Sequence, residues 1–171
     1  MKGEIINRVA LSPLVSFDLS DYHDSGTRTA LDIAPQLFQG MILREKDFRA
    51  WVKETDWAAY EGHHVWIHCS IDAIIPDWAW LLVAISLEPF AKTLVFGNKG
   101  DLEKEIWRKA LDTIDYEALE GKKIVVKGCS DIDIPTATYV EFIRRLRPIA
   151  TKLMYGEPCS TVPLYKKPKQ S

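Results

Sequence analysis

Residues 56–97, DWAAYEGHHVWIHCSIDAIIPDWAWLLVAISLEPFAKTLVFG, and residues 115–156, DYEALEGKKIVVKGCSDIDIPTATYVEFIRRLRPIATKLMYG, share one frame displaced by 59 positions without a gap. Many of the positions that agree are ones that turn the chain: Asp56 with Asp115, Gly62 with Gly121, Asp72 with Asp131, Pro76 with Pro135, Pro89 with Pro148 and Gly97 with Gly156. Leu87 with Leu146 and Leu94 with Leu153 add apolar agreement in the same frame. Each stretch therefore reads alike. A β-rich run (Val65 to Cys69, Lys123 to Lys127) is followed by a proline that opens an apolar helix (Trp78 to Leu87, Ala137 to Leu146), because proline has no N–H to lose in a first helical turn. A second proline closes the helix, and a second short strand follows (Lys92 to Phe96, Thr151 to Tyr155).

Outward from this core, Leu43 and Arg49 pair with Leu102 and Arg108, which adds a preceding helix to each copy, over Leu43 to Lys53 and Leu102 to Leu111. Strands that alternate with helices favour parallel pairing through right-handed crossovers. The expectation is a single α/β domain over residues 1–171, with a duplicated helix-strand-helix-strand unit (38–97 and 97–156) around a mainly parallel sheet of at least four strands. The N-terminal segment 1–37 and the C-terminal tail 157–171 pack on it. Leu14 to Leu19 and Val162 to Tyr165 read as edge strands, and Ser20 to Thr29 as a loop.

A chain of 171 residues can bury roughly 70% of its unfolded surface, enough for a substantial core. With 22 basic and 24 acidic residues the net charge is -2, so no overall positive field recruits nucleic acid. No apolar run approaches the roughly 20 residues of a membrane span, and the charged N-terminal run MKGEIINR does not read as a secretory signal. Three widely spaced cysteines argue against a disulfide framework and fit a reducing compartment, so the expected location is cytoplasmic. A monomer and a homodimer are equally compatible with the sequence.

Ligands of open α/β sheets bind beyond the carboxyl ends of the strands, where helix N-termini present free donors. Cys69, Cys129 and Cys159 all fall at that predicted edge. Three thiolates and one further donor suit zinc or an iron-sulfur cluster, with His68, Asp72 or Asp131 as the fourth ligand. His68 qualifies only if the strand has ended, because neighbours in a strand point to opposite faces. A second reading makes Cys129, ahead of a helix N-terminus, a nucleophile or persulfide carrier with Cys159 as its resolving partner. The bland alternative treats the cysteines as small buried hydrophobes, Asp72 and Asp131 as turn caps, and Trp51, Trp78 and Trp107 as core. His63 and His64, aligned with Lys122 and Lys123, are expected at the surface, as are Arg144, Arg145 and Arg147.

The segments FQGMILREKDFR (38–49), CSIDAIIPDWAWLLV (69–83), KGCSDIDIPTATYVEF (127–142) and MYGEPCSTVPLYKK (154–167) resemble the uncharacterised bacterial family known as domain of unknown function 2480. That resemblance implies a soluble cytoplasmic protein often encoded beside the SUF-type iron-sulfur assembly system, and its pattern includes Cys69, Cys129 and Cys159. The resulting expectation is a non-enzymatic accessory factor of iron-sulfur cluster assembly, with assembly proteins as partners and a three-cysteine metal or persulfide site. The alternatives are a thiol-dependent enzyme, or a small-molecule or partner-binding domain with structural cysteines.

Overall fold

The computed structural model describes residues 14–128, 131–157 and 160–168, which fall into two compact units, residues 24–109 and residues 14–23 with 110–168. The α/β class and the mainly parallel pairing are as expected, but the strands divide between two sheets instead of joining one. The reason lies in the N-terminal segment. It supplies two strands, β1 (Leu14–Phe17) and β2 (Arg28–Asp32), and each begins a sheet of its own. Among the described residues, no helix is long and apolar enough to cross a membrane.

In the unit of residues 24–109, β2 pairs in parallel with β3 (His64–His68), and β3 with β4 (Thr93–Phe96). Helices α1 (Glu45–Glu54) and α2 (Asp77–Leu87) belong to the same unit. Phe48 and Val52 on α1 and Ala79, Val83 and Leu87 on α2 recur every four residues, so each set lies on one helical face. These side chains are buried with Leu31, Ile33, Val65 and Ile67 in one core. Trp51 and Trp78 pack against that core, with Trp78 edge-on to Phe48 at 5.8 Å between ring centroids. Helix α1 ends where the Thr55 N–H and hydroxyl both donate to the Trp51 carbonyl.

One polar group of this core departs from expectation. His64 is 1% exposed, not a surface residue, because the strand it opens is flanked on both sides by Arg28 of β2 and Thr93 of β4. Its Nε2 lies 3.2 Å from Asp24 Oδ1, and Gly26 passes so close that a Cβ there would come within 2.8 Å of the ring. Asp24 also pairs with the Lys92 ammonium at 2.6 Å and accepts the Gly26 N–H at 2.9 Å. Burial alone would raise the Asp24 carboxyl; Lys92, Gly26 and His64 overcome it and hold the group well below the usual carboxylate range.

In the unit of residues 14–23 and 110–168, β1 pairs in parallel with β5 (Lys123–Val126), and β5 with β6 (Lys152–Glu157). A fourth strand, β7 (Ser160–Lys166), runs antiparallel on β6 and forms one edge, with Pro163 opposite Met154 beside a register shift. Proline is tolerated there because an edge strand has one side free of ladder bonds. Helix α4 (Thr136–Leu146) buries Thr138, Phe142 and Leu146, again at a spacing of four, and Phe142 meets Phe17 at 4.7 Å. Its outer face carries Arg144 and Arg145, both paired with Glu141 at 2.8 Å, while Arg147 lies over the Tyr165 ring. Helix α3 (Lys99–Asp112), which carries the chain between the two units, buries Leu102, Ile106, Trp107 and Leu111.

The 59-residue frame reappears in geometry. His64 pairs with Thr93 and Ile67 with Phe96; Lys123 pairs with Lys152 and Val126 with Tyr155. The Gly62 N–H donates to Phe90 as the Gly121 N–H does to Ile149, and both glycines adopt positive φ, 72° and 70°. Gly97 and Gly156 end β4 and turn within β6 with φ of 141° and 117°. A Cβ on Gly156 would lie 2.6 Å from the Ser160 carbonyl oxygen, whereas one on Gly121 would meet nothing.

Replacing Gly156 by alanine is expected to lower stability by about 1–3 kcal/mol, through both backbone strain and the clash. Gly121→Ala should lower it by only about 1 kcal/mol; urea unfolding of the two variants measures the difference. Asp24→Asn is expected to destabilise by about 1–3 kcal/mol at pH 7. Because the Asp24 carboxyl is depressed in the folded chain, its contribution is complete above the unfolded value of about 3.9 and is lost as pH falls through the lower folded value. The gap between wild type and variant should therefore narrow in acid unfolding.

Candidate functional site

Parallel strands deliver their carboxyl ends to one edge, and a helix N-terminus follows each crossover loop. In the unit of residues 14–23 and 110–168 this edge holds a cleft of about 570 Å³, lined by Gly128, Asp131, Ile132, Asp133, Ile134, Thr136, Tyr139 and Tyr155. Strand β5 ends with the Lys127 N–H donating to the Phe17 carbonyl, and the Lys127 ammonium reaches Asp18 at 3.1 Å. The chain then passes beneath Tyr155 at Gly128, where a Cβ would come within 2.6 Å of the ring. Ile134 is buried and anchors the loop ahead of Pro135, and α4 begins there with no side-chain cap on its first N–H groups. Tyr139 on α4 meets Tyr155 on β6 edge to face, with centroids 5.6 Å apart and planes at 90°.

The unit of residues 24–109 has a cleft of about 380 Å³ at the matching place, lined by His68, Cys69, Ile71, Asp72, Ala73, Ile75, Trp80, Phe96 and Gly97. Six lining positions of the two clefts correspond in the 59-residue frame: Cys69 with Gly128, Asp72 with Asp131, Ala73 with Ile132, Ile75 with Ile134, Trp80 with Tyr139, and Phe96 with Tyr155. Trp80 and Phe96 also meet edge to face, at 4.9 Å. The loop beyond β3 is tied down by Asp32 at the end of β2, which accepts the Ser70 N–H at 3.0 Å, the Ser70 hydroxyl at 2.5 Å and the Ala34 N–H at 2.9 Å. Desolvation would raise the Asp32 carboxyl, but these donors and the neighbouring His68 keep it lowered.

Cys69, a free and half-buried thiol, shares its cleft with His68 and Asp72. Strand β3 stops at His68, which is the condition under which His68 and Cys69 can serve one cleft. Asp131 lines the other cleft, while Cys129 and Cys159 lie outside the described residues. Among the described residues, no three or more His, Cys, Asp and Glu side chains gather into a metal-binding group, so the donors beside Cys69 do not by themselves fit zinc or a cluster. Asp72 and Asp131 make no capping hydrogen bond among the described residues, and α2 and α4 start at Pro76 and Pro135 without a side-chain cap. The aromatic pairs, Asp133 and Asp32 are site residues that the cysteine pattern did not point to. Their signal was present in the frame, since an aromatic residue stands at both Trp80 and Tyr139 and at both Phe96 and Tyr155.

The pattern of the family described as "Protein of unknown function (DUF2480)" matches residues 3–167, a span containing all four resembling segments and both clefts. No curated protein and no solved structure matches. The chain belongs to the DUF2480 family.

Proposed function

We propose that this chain is a binding protein that holds a small organic molecule in the cleft between Gly128, Asp133, Tyr139 and Tyr155. One observation carries the reading: an open cleft walled by an edge-to-face aromatic pair occurs at the carboxyl strand ends of both units, at corresponding residues. A volume of about 570 Å³ falls in the usual range for small-molecule sites, roughly 300–1,000 Å³. Its lining sets two tyrosine rings, Ile132 and Ile134 beside the polar Asp131, Asp133 and Thr136, which can orient a ligand. Tyr155→Ala removes one wall without opening the core, since Tyr155 is only half-buried. A ligand-observed NMR screen against a mixed metabolite library should give binders whose affinity falls about tenfold or more in Tyr155→Ala. Binders that keep their affinity in that variant would place the site elsewhere.

A second reading rests on Cys69, a half-buried thiol that the Asp32–Ser70 clasp holds in the wall of the other cleft. Here the chain is a cytoplasmic accessory factor of iron-sulfur assembly that carries metal or persulfide sulfur on its thiols. Anaerobic purification followed by metal and sulfide analysis tests it. Bound metal or sulfur should be present in the wild type and lost in Cys69→Ser, Cys129→Ser or Cys159→Ser. Its absence from every preparation retires the reading.

A further inference from the structure

The lining of the larger cleft goes beyond naming a place for a ligand; it selects a charge. We propose, resting on the binding reading above, that the cleft of Asp131, Asp133, Tyr139 and Tyr155 takes an organic cation, an ammonium group with a compact apolar body. The argument begins with what differs between two clefts of the same build. Where the smaller cleft has Trp80 and Phe96, the larger has Tyr139 and Tyr155, and the loop position of Ile74 is taken by Asp133. Each of these three differences adds an oxygen acceptor, and all three line one cavity of about 570 Å³.

Charge then decides the ligand class. Among the described residues, the lining contains two carboxylates and no lysine, arginine or histidine. Lys127, next in sequence to Gly128, has its ammonium on Asp18. Among the described residues Asp131 and Asp133 have no ion-pair partner, whereas Asp18, Asp24, Asp101, Asp112 and Glu141 each have one. The opposing effect is the N-terminus of α4, which contributes roughly half a positive charge. Two full negative charges outweigh it, so the cleft attracts cations and repels phosphates and carboxylates. The aromatic pair works in the same direction. Rings at 90° present a face beside an edge, and the face of a tyrosine ring attracts an ammonium within about 6 Å of its centroid. The Tyr155 phenolic oxygen adds an acceptor for an N–H or hydroxyl donor on the same ligand.

The test uses the full chain and three probes of similar size or simple charge: choline, its uncharged isostere 3,3-dimethylbutan-1-ol, and inorganic phosphate. Choline should saturate, shift the ring signals of Tyr139 and Tyr155 in NMR titration, and bind at least about tenfold more tightly than the isostere. Its affinity should fall as salt is raised, as expected for partly exposed charges. The double variant Asp131→Asn/Asp133→Asn, checked for folding by circular dichroism, should lose about tenfold or more in choline affinity. Equal binding of the isostere, binding of phosphate at the tyrosines, or an unchanged affinity in the folded double variant overturns the cation assignment. So does failure of choline to perturb either tyrosine. In each of these cases the metabolite screen with Tyr155→Ala decides separately whether the cleft binds ligands at all, so the two failures are told apart.

Discussion

Parallel pairing of neighbouring strands is the constraint on which the other features depend. Two strands that run the same way cannot be joined by a hairpin; each pair needs a crossover, supplied by α2 between β3 and β4 and by α4 between β5 and β6. The crossover fixes where a helix must start, and Pro76 and Pro135 mark those starts. It also fixes which helical face is buried, so that Ala79, Val83 and Leu87 correspond to Thr138, Phe142 and Leu146. Both clefts are then geometric results of the same requirement. Strand ends, an irregular loop and an uncapped helix N-terminus converge on one edge, leaving a gap that the aromatic residues of helix and strand line.

Much of this was readable in the residues because turn chemistry and periodicity agree. The proline, glycine and apolar positions of 56–97 and 115–156 locate strands and helices to within a few residues of β3, α2, β4, β5, α4 and β6. Strand β2 carries no strand-like pattern because Arg28, Thr29 and Asp32 are polar and follow a run of Asp, His, Ser and Gly. Its polarity has structural uses that no local pattern reveals: Arg28 pairs with Glu103 at 3.0 Å, and Asp32 holds the loop after β3. With β2 unseen, the N-terminal segment offered one strand and suggested one sheet. The burial of His64 is hidden from the sequence for a related reason. A histidine beside a turn looks solvent-facing until strands on both sides and the carboxylate of Asp24 close around it.

The candidate site was less legible. Cysteines attract attention because few residue types bind soft metals, yet only Cys69 falls among the described residues, in a cleft that gathers no metal-binding group around it. The site that geometry favours is built of ordinary residues, two aspartates and two tyrosines. Their chemistry becomes apparent only when a helix and a strand distant in sequence bring Tyr139 against Tyr155. What could be read beforehand was the contrast between the copies. Positions shared by both stretches carry the turns and the buried faces, whereas Ile74 and Asp133, at one position of the frame, differ in polarity, and Asp133 lines the larger cleft.

Strand β7 carries one more consequence. A sheet that ends in an open ladder of N–H and carbonyl groups is a template on which another chain can polymerise. Here Pro163 withholds a donor midway along that rim and sits at a register shift that bends the ladder. Val162 and Leu164 beside it are exposed, so the rim has the side chains of a sticky strand without its full set of backbone partners. The edge thus acts as a terminator, resisting the addition of a further strand beside β7.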